Sequence, residues 1–309
     1  LPLTQEDHMN AEVLSKIRFD VHRAVTENIV KAIEAGAGEF IMPWHGNAAA
    51  IAKPQNAHTK MEYHGINVMA LWAEAYGRGY QSGYWATYRQ WREVGAQVKK
   101  DEKGTVIVFY KKLERDDESE GDEPVSRLFA RASWVFNADQ VSEWEPPALH
   151  VPLDPMEPIE SVETFVKATK AEVKYGGGRA CYHVRDDYIE MPDRNRFIGS
   201  KTSTPEEAHS ACILHELVHW CGAKHRLDRG FDVVITREGR ANEELIAEIG
   251  AAFLCADLGV SNEPRPDHAA YVASWLTLLK NDVKAIFHAS RLANQATTYL
   301  HELASANEW

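Results

Sequence analysis

The sequence predicts an α+β protein of two domains, and three observations carry that reading. Helical periodicity dominates both ends of the chain, a β-branched and aromatic hairpin lies in the first half, and a run of prolines separates the halves. A length of 309 residues suits two domains, and 44% apolar residues is enough for a substantial core.

In the first half, Leu14, Ile17, Val21, Val25, Ile29 and Ile33 recur at steps of three and four, which predicts an amphipathic helix ended by Gly36 and Gly38. An irregular stretch rich in Pro, Gly and Asn runs to Gly65. Helices are expected over 67–76 and 84–94, then a charged turn over 99–104. Residues 105–110 and 127–136 read as the two strands of a hairpin around an acidic loop at 114–123. Pro146, Pro147, Pro152, Pro155 and Pro158 then mark a stiff linker over 146–158, dividing a domain of residues 1–145 from one of 159–309.

The second domain opens with an expected helix over 161–173, a glycine turn at 175–178 and short strands at 180–184 and 188–191. Helices follow over 205–221, 242–258, 268–281 and 282–303. No internal repeat interrupts this order.

A net charge of −12 argues against a uniformly basic nucleic-acid binder but leaves room for a local basic face. Cys181, Cys212, Cys221 and Cys255 form no C-x-x-C pair and read as reduced thiols. With no signal-like segment and no apolar run of spanning length, a cytoplasmic protein without a membrane partner is expected.

The strongest local signal is His215-Glu216-Leu217-Val218-His219. On a helix, histidines four apart share a face, so both imidazoles reach one ion, and the glutamate beside them can polarise a water molecule. The flanks predict that helix. Thr204 and Glu207 form a capping box, Pro205 suits the first helical position, and Gly222 provides a stop. Zinc, or another divalent ion such as manganese, needs a third protein ligand.

His225 extends the motif to the metzincin spacing H-E-x-x-H-x-x-G-x-x-H, but no methionine follows Met191 to form that family's Met-turn. Glu244, on a separate helix 25 residues after His219, is the first choice. Glu248, one turn further on, and His225 are the alternatives. Whichever of Glu244 and Glu248 does not bind metal can accept a ligand histidine's N–H. Gly250, Ala251 and Ala252 let the two helices approach closely. With such a centre, Glu216 acts as catalytic base in peptide hydrolysis. The strand at 188–191 is a candidate edge for an extended peptide, or else an ordinary core strand.

The run from His215 to Gly222, Arg226-Leu227-x-Arg229, and Glu243 through Leu254 together resemble the ArdC-type antirestriction proteins of conjugative plasmids. Pro43-Trp44, Tyr63-x-Gly65-Ile66-Asn67, Tyr84-Trp85-x-Thr87, Gln90 and Gly95-x-x-Val98 extend the resemblance through the first half. It implies an N-terminal single-stranded-DNA-binding domain, a C-terminal zincin-like metallopeptidase domain, and protection of incoming DNA from host restriction. One departure is Cys221, where that family usually has threonine.

The residues also speak for DNA. Between Phe40 and Lys112 lie ten Lys/Arg against five Asp/Glu, together with 12 aromatics. Single strands bind by stacking bases on aromatic rings while cations follow the phosphates, largely without regard to sequence. Candidate contacts are Lys53, Lys60, Tyr80, Tyr84, Tyr88, Arg89, Lys99, Lys100 and Lys103; the three tyrosines recur every four residues and on a helix would share a face. Trp85 and Trp91 read as core.

The expected whole is a protein that binds single-stranded DNA and carries a zinc-dependent peptidase acting on an unidentified protein, with a restriction-system component as one candidate. Two other readings stay open: a DNA-occluding protein with a structural or vestigial metal site, and a peptidase effector aimed at a free cytosolic protein.

Overall fold

A computed structural model describes residues 19–36, 53–113, 127–147, 156–199, 203–231, 236–262 and 269–306. The first half holds α1 (Val21–Gly36), β1 (Gln55–Asn56), α2 (Ile66–Arg78), β2 (Tyr84–Ala86), α3 (Tyr88–Glu93), β3 (Gln97–Val98), β4 (Thr105–Leu113), β5 (Arg127–Asn137) and β6 (Val141–Ser142). The second holds α4 (Glu157–Thr169), β7 (Val173–Tyr175), β8 (Cys181–His183), β9 (Tyr188–Met191), α5 (Pro205–Cys221), α6 (Arg237–Leu258), α7 (Ala269–Asn281) and α8 (Ala285–Ala306).

The hairpin β4–β5 forms as expected, with Thr105 opposite Val135 and Tyr110 opposite Ala130. It belongs to a four-stranded sheet ordered β1-β2-β5-β4, with a β3-β6 pair alongside. The acidic loop at 114–123 and linker residues 148–155 lie outside the described residues.

The expected helix at 84–94 is instead a strand followed by a short helix. Thr87 caps α3, accepting from the Gln90 N–H, while the Gln90 side chain returns to the Thr87 N–H. That capping box restarts the chain at Thr87, which leaves Trp85 and Ala86 free to pair with Asn137 and Phe136. Consequently Tyr80, Tyr84 and Tyr88 do not share a helical face. Trp85 and Trp91 are fully buried, and the Trp91 indole donates to the Phe136 carbonyl at 2.9 Å.

The expected helix at 161–173 shifts toward the N-terminus. Pro158 sits in the first turn of α4, and Lys170 ends it in a left-handed conformation. Val173 then begins β7, which pairs in parallel with β9. The strand at 188–191 is therefore the middle of a sheet ordered β7-β9-β8, not an edge. Its alternation explains why: Ile189 and Met191 are fully buried, so both the pairing and one face are taken up by the core.

One apolar core runs through both halves. Ile29 and Ile33 of α1, Leu71 of α2, Leu245 and Phe253 of α6, and Ile286 of α8 all belong to it. Trp72 packs against Phe253, the Thr26 hydroxyl donates to the Val283 carbonyl at 2.6 Å, and Lys280 pairs with Glu34 at 2.6 Å. The two domains thus meet over an apolar seam. Gly250 of α6 faces Val218 of α5 so closely that an added Cβ would lie 2.9 Å from its methyls. The small residue lets the two helices carrying the site approach each other.

Candidate metal centre and nucleic-acid face

Helix α5 spans the residues expected, with Thr204 and Glu207 forming both halves of its capping box. Gly222 ends it in an ordinary right-handed conformation, so it is not needed for a left-handed turn. The reason for glycine is room: a Cβ there would lie 2.7 Å from the Arg229 guanidinium and 2.5 Å from the Phe231 ring.

His215, His219 and Glu244 present ligand atoms within 4.8 Å of one another. The His215 and His219 Nε2 atoms are 3.1 Å apart, and the Glu244 carboxylate lies 3.4 Å from the first and 3.8 Å from the second. Two imidazoles and a carboxylate converging in this way fit a divalent ion of the zinc or manganese class, leaving one position open for water. Glu216 is buried and lines the same cleft, of about 890 Å³, as His215, His219, Glu243 and Glu244.

A second layer fixes the imidazoles. Glu248 lies 3.5 Å from His215 Nδ1, and Glu243 lies 3.0 Å from His219 Nδ1. Glu243 is held in turn by Arg229, whose guanidinium bonds its carboxylate at 2.5 Å and the Val218 carbonyl at 2.7 Å. Such a role is expected from the sequence for Glu248 but not for Glu243 or Arg229. The signal was present in the adjacent acids Glu243-Glu244 and in Arg229, the last residue of a motif already noted.

The carboxylates make this a cation site electrostatically. Burial opposes charge on His219, but Glu243 and Glu244 outweigh it and push its pKa up to about 10. Burial likewise opposes charge on Glu244, yet hydrogen bonding to His215 and His219 holds its carboxyl well below the usual range. Cys221 is buried and pushed up to about 12, chiefly by desolvation, so it stays a neutral packing thiol.

His225 stands apart from the centre. After α5 the chain turns so that Arg226 donates to the Trp220 carbonyl at 2.7 Å, stacks on the Trp220 ring and bonds Asp187. This leaves His225 exposed and 3.2 Å from Asp187. Despite the metzincin spacing, the turn that follows α5 directs His225 away from His215, His219 and Glu244 and toward Asp187.

The candidate DNA contacts are scattered. Lys53 is withdrawn from solvent in a 2.5 Å pair with Asp257 of α6, tying the two domains together. Tyr80 packs edge-on against Trp85, and Tyr84 against Trp144. Lys60 is exposed, its ammonium on the Ala57 carbonyl and near the Tyr84 ring. Tyr88 is exposed and accepts from Gln97 at 3.1 Å. Arg89 is exposed beside Glu93, Lys99 donates to the Asp139 carbonyl, and Lys100 and Lys103 face solvent. The hairpin adds rings that are not among the candidates: Phe109, Tyr110 and Trp134 are each about half exposed.

The fold and site define a class: a zincin-like metallopeptidase domain joined to a smaller α+β domain. A family model for zincin-like metallopeptidases matches residues 160–292, and one for the N-terminal domain of anti-restriction factor ArdC matches residues 19–136. The chain is similar to an uncharacterized protein, y4eC, of Sinorhizobium fredii, at 42% identity over 91% of this chain and 92% of that one. It is also similar to the antirestriction ArdC protein of plasmid R388, solved metal-free and Mn(II)-bound. Identity is 37% in both cases over 94% of this chain and 100% of that one, with TM-scores of 0.74 and 0.73. Two DNA primases TraC of Escherichia coli are 32% identical, but this chain spans only 20% and 27% of their lengths. The chain belongs to the ArdC antirestriction family. Among the described residues no helix is long and apolar enough to cross a membrane.

Proposed function

We propose that this protein binds single-stranded DNA through its N-terminal domain and, while bound, hydrolyses peptide bonds in proteins of the restriction machinery in the cytoplasm. The observation that carries the reading is the convergence of His215, His219 and Glu244 beside Glu216 in one cleft. In this reading His215, His219 and Glu244 hold a divalent ion. The ion's contribution is Lewis acidity toward water and the scissile carbonyl. Glu216 takes the proton from water and delivers it to the leaving amine. Glu243 and Glu248 keep each imidazole's Nε2 directed at the ion by accepting from its Nδ1. The relative's Mn(II)-bound form supports a divalent ion without choosing between manganese and zinc.

Support for DNA is of a different kind. The N-terminal domain exposes both rings and cations: Tyr88 is next to Arg89, Phe109 and Tyr110 lie on the strand that follows Lys100 and Lys103, and Trp134 stands opposite Val106 on the partner strand. That combination suits stacking with charge and little base selection. The edge strand β8, whose Cys181 and Tyr182 line the cleft, replaces β9 as the strand on which an extended peptide would pair.

The test uses the full chain loaded with manganese or zinc. Restriction endonucleases are incubated with it, with and without single-stranded DNA, and fragments are read by mass spectrometry. Cleavage that Glu216→Gln abolishes supports the reading. A Glu216→Gln variant that protects DNA from restriction as well as the parent overturns the peptidase part, and protection then comes from occlusion.

A further inference from the structure

Outside the centre just described, a second group of metal-ligating side chains converges among the described residues. Cys181, His183 and Glu190 place a sulfur, a nitrogen and a carboxylate oxygen within 4.8 Å of one another. We propose that they form a second divalent-cation site, selective for a zinc-class ion, on the wall of the same cleft.

The placement follows from strand register. Cys181 and His183 are two apart on β8 and share a face, and Cys181 lies directly opposite Glu190 in the antiparallel pair with β9. On the other face, Ile189 is fully buried in the core. The three donors therefore stand together on the half-exposed side of a short sheet whose opposite side is anchored.

Geometry separates a metal site from a nucleophilic triad. In a triad the histidine uses one ring nitrogen toward the nucleophile and the other toward the carboxylate. Here a single atom, His183 Nε2, lies 3.3 Å from Cys181 Sγ and 2.9 Å from Glu190 Oε2. Both partners address the same nitrogen, as ligands around one ion do. Tetrahedral zinc, with bonds of about 2.0 to 2.3 Å, sets its ligands roughly 3.3 to 3.7 Å apart, so these two contacts need to open by only about 0.4 Å.

The donors are also pre-positioned. The His183 ring stacks on Tyr188, with centroids 4.4 Å apart, and Lys174 lies 3.8 Å from the centre of the Tyr188 ring. Gly177 presses on Glu190 so closely that an added Cβ would lie 2.2 Å from its carboxylate. Arg179, exposed and two residues before Cys181, places its positive charge beside the thiol.

The charges balance: binding releases the thiol proton of Cys181, and thiolate plus carboxylate neutralise the dication while His183 binds neutral. One sulfur ligand with imidazole and carboxylate favours zinc over magnesium or manganese. The site is thus chemically distinct from the all-nitrogen-and-oxygen centre on α5 and α6.

Cobalt(II) is the probe, because thiolate ligation gives it a near-ultraviolet charge-transfer band that imidazole and carboxylate do not. The full chain is titrated with cobalt and, separately, dialysed against zinc for elemental analysis. Expected are two zinc ions per chain and a thiolate band. Cys181→Ser loses the band and one ion, and His183→Asn does the same. His215→Ala loses one ion but keeps the band, so failure of the peptidase centre stays distinguishable. Cys212→Ser keeps the band; it is the necessary control, since Cys212 also lines the cleft. A wild-type chain without a thiolate band, or a band that survives Cys181→Ser, overturns the proposal.

Discussion

The metal centre and the exposed face of the hairpin domain are built on opposite principles. At the centre, each side chain is fixed by another: Val218 and Glu243 hold Arg229, Glu243 holds His219, and Glu248 faces His215, nearly all of it withdrawn from water. In the hairpin domain the rings of Phe109, Tyr110 and Trp134 stand half in solvent, and Arg89 on α3 bonds its exposed neighbour Glu93. A site that must hold atoms in one geometry demands interlocking partners. A surface that stacks on any base needs only rings and charge, and tolerates imprecision.

The sharpest way to break this contrast is at Glu216. If the centre is an enzyme, Glu216→Gln lowers the rate of peptide cleavage by on the order of 10²–10⁴, the usual share of a general base. Metal content by elemental analysis and affinity for single-stranded oligonucleotides stay at parental levels. Equal loss of cleavage and DNA binding would mean that the two regions are not separable.

The next test reaches the outer layer. Glu243→Ala removes the acceptor of His219 Nδ1, so the affinity for a divalent ion should fall about 10–100-fold by competition with a chelator. Arg229→Met strands the buried Glu243 carboxylate and should cost about 3 kcal/mol in thermal unfolding. Gly222→Ala should lose stability by the same route, since the new methyl meets Arg229. If Glu243→Ala left metal affinity unchanged, the interlocking would be packing rather than support for ligands.

The same contrast explains what the sequence revealed. The motif helix was legible to its ends because capping residues and metal spacing are both local: Thr204, Pro205 and Glu207 sit within four residues. Glu244 was singled out by its separation of 25 residues from His219 and its place on a second helix. Glu243 and Arg229 were not assigned, because their partners come from other segments, and an acid on a helix or an arginine in a loop reads as surface. The segment at 84–94 misled for a tertiary reason. Its residues suit a helix, but Trp85 pairs with Asn137, more than fifty positions away. The same pairing makes the hairpin rings ambiguous, since an aromatic in a strand reads as core until the sheet shows which face is open.

On the exposed face, Trp134→Ala should weaken binding to a short oligonucleotide by about 1–3 kcal/mol, the worth of one stacked base, measured by fluorescence anisotropy. Thermal stability should barely move, because the ring is 49% exposed. Trp85→Ala, by contrast, should cost about 3–5 kcal/mol of folding stability as a buried truncation. If Trp134→Ala binds as the parent does, the hairpin is not the stacking platform, and Tyr88 on α3 becomes the next residue to test.

The smallest expected effect lies within α5, where two histidines are treated in opposite ways. The acids around His219 raise its pKa, whereas burial beside Tyr175 and Phe197, with Arg194 nearby, pushes that of His209 down to about 4. A folded pKa below the unfolded value of about 6.5 means that the unfolded chain takes up the proton first. His209 therefore contributes fully above about pH 6.5, and its contribution drains away as pH falls toward 4. On the order of 2 kcal/mol should be lost across that window in wild type and not in His209→Phe, read as the difference between their denaturant midpoints at each pH. Because His209 makes no contact with the ligand set, this difference should persist with the metal stripped away. If it vanished on chelation, the capped first turns of α5 and the metal-bearing last turns would be one cooperative unit, and the precision of the centre would extend along the whole helix.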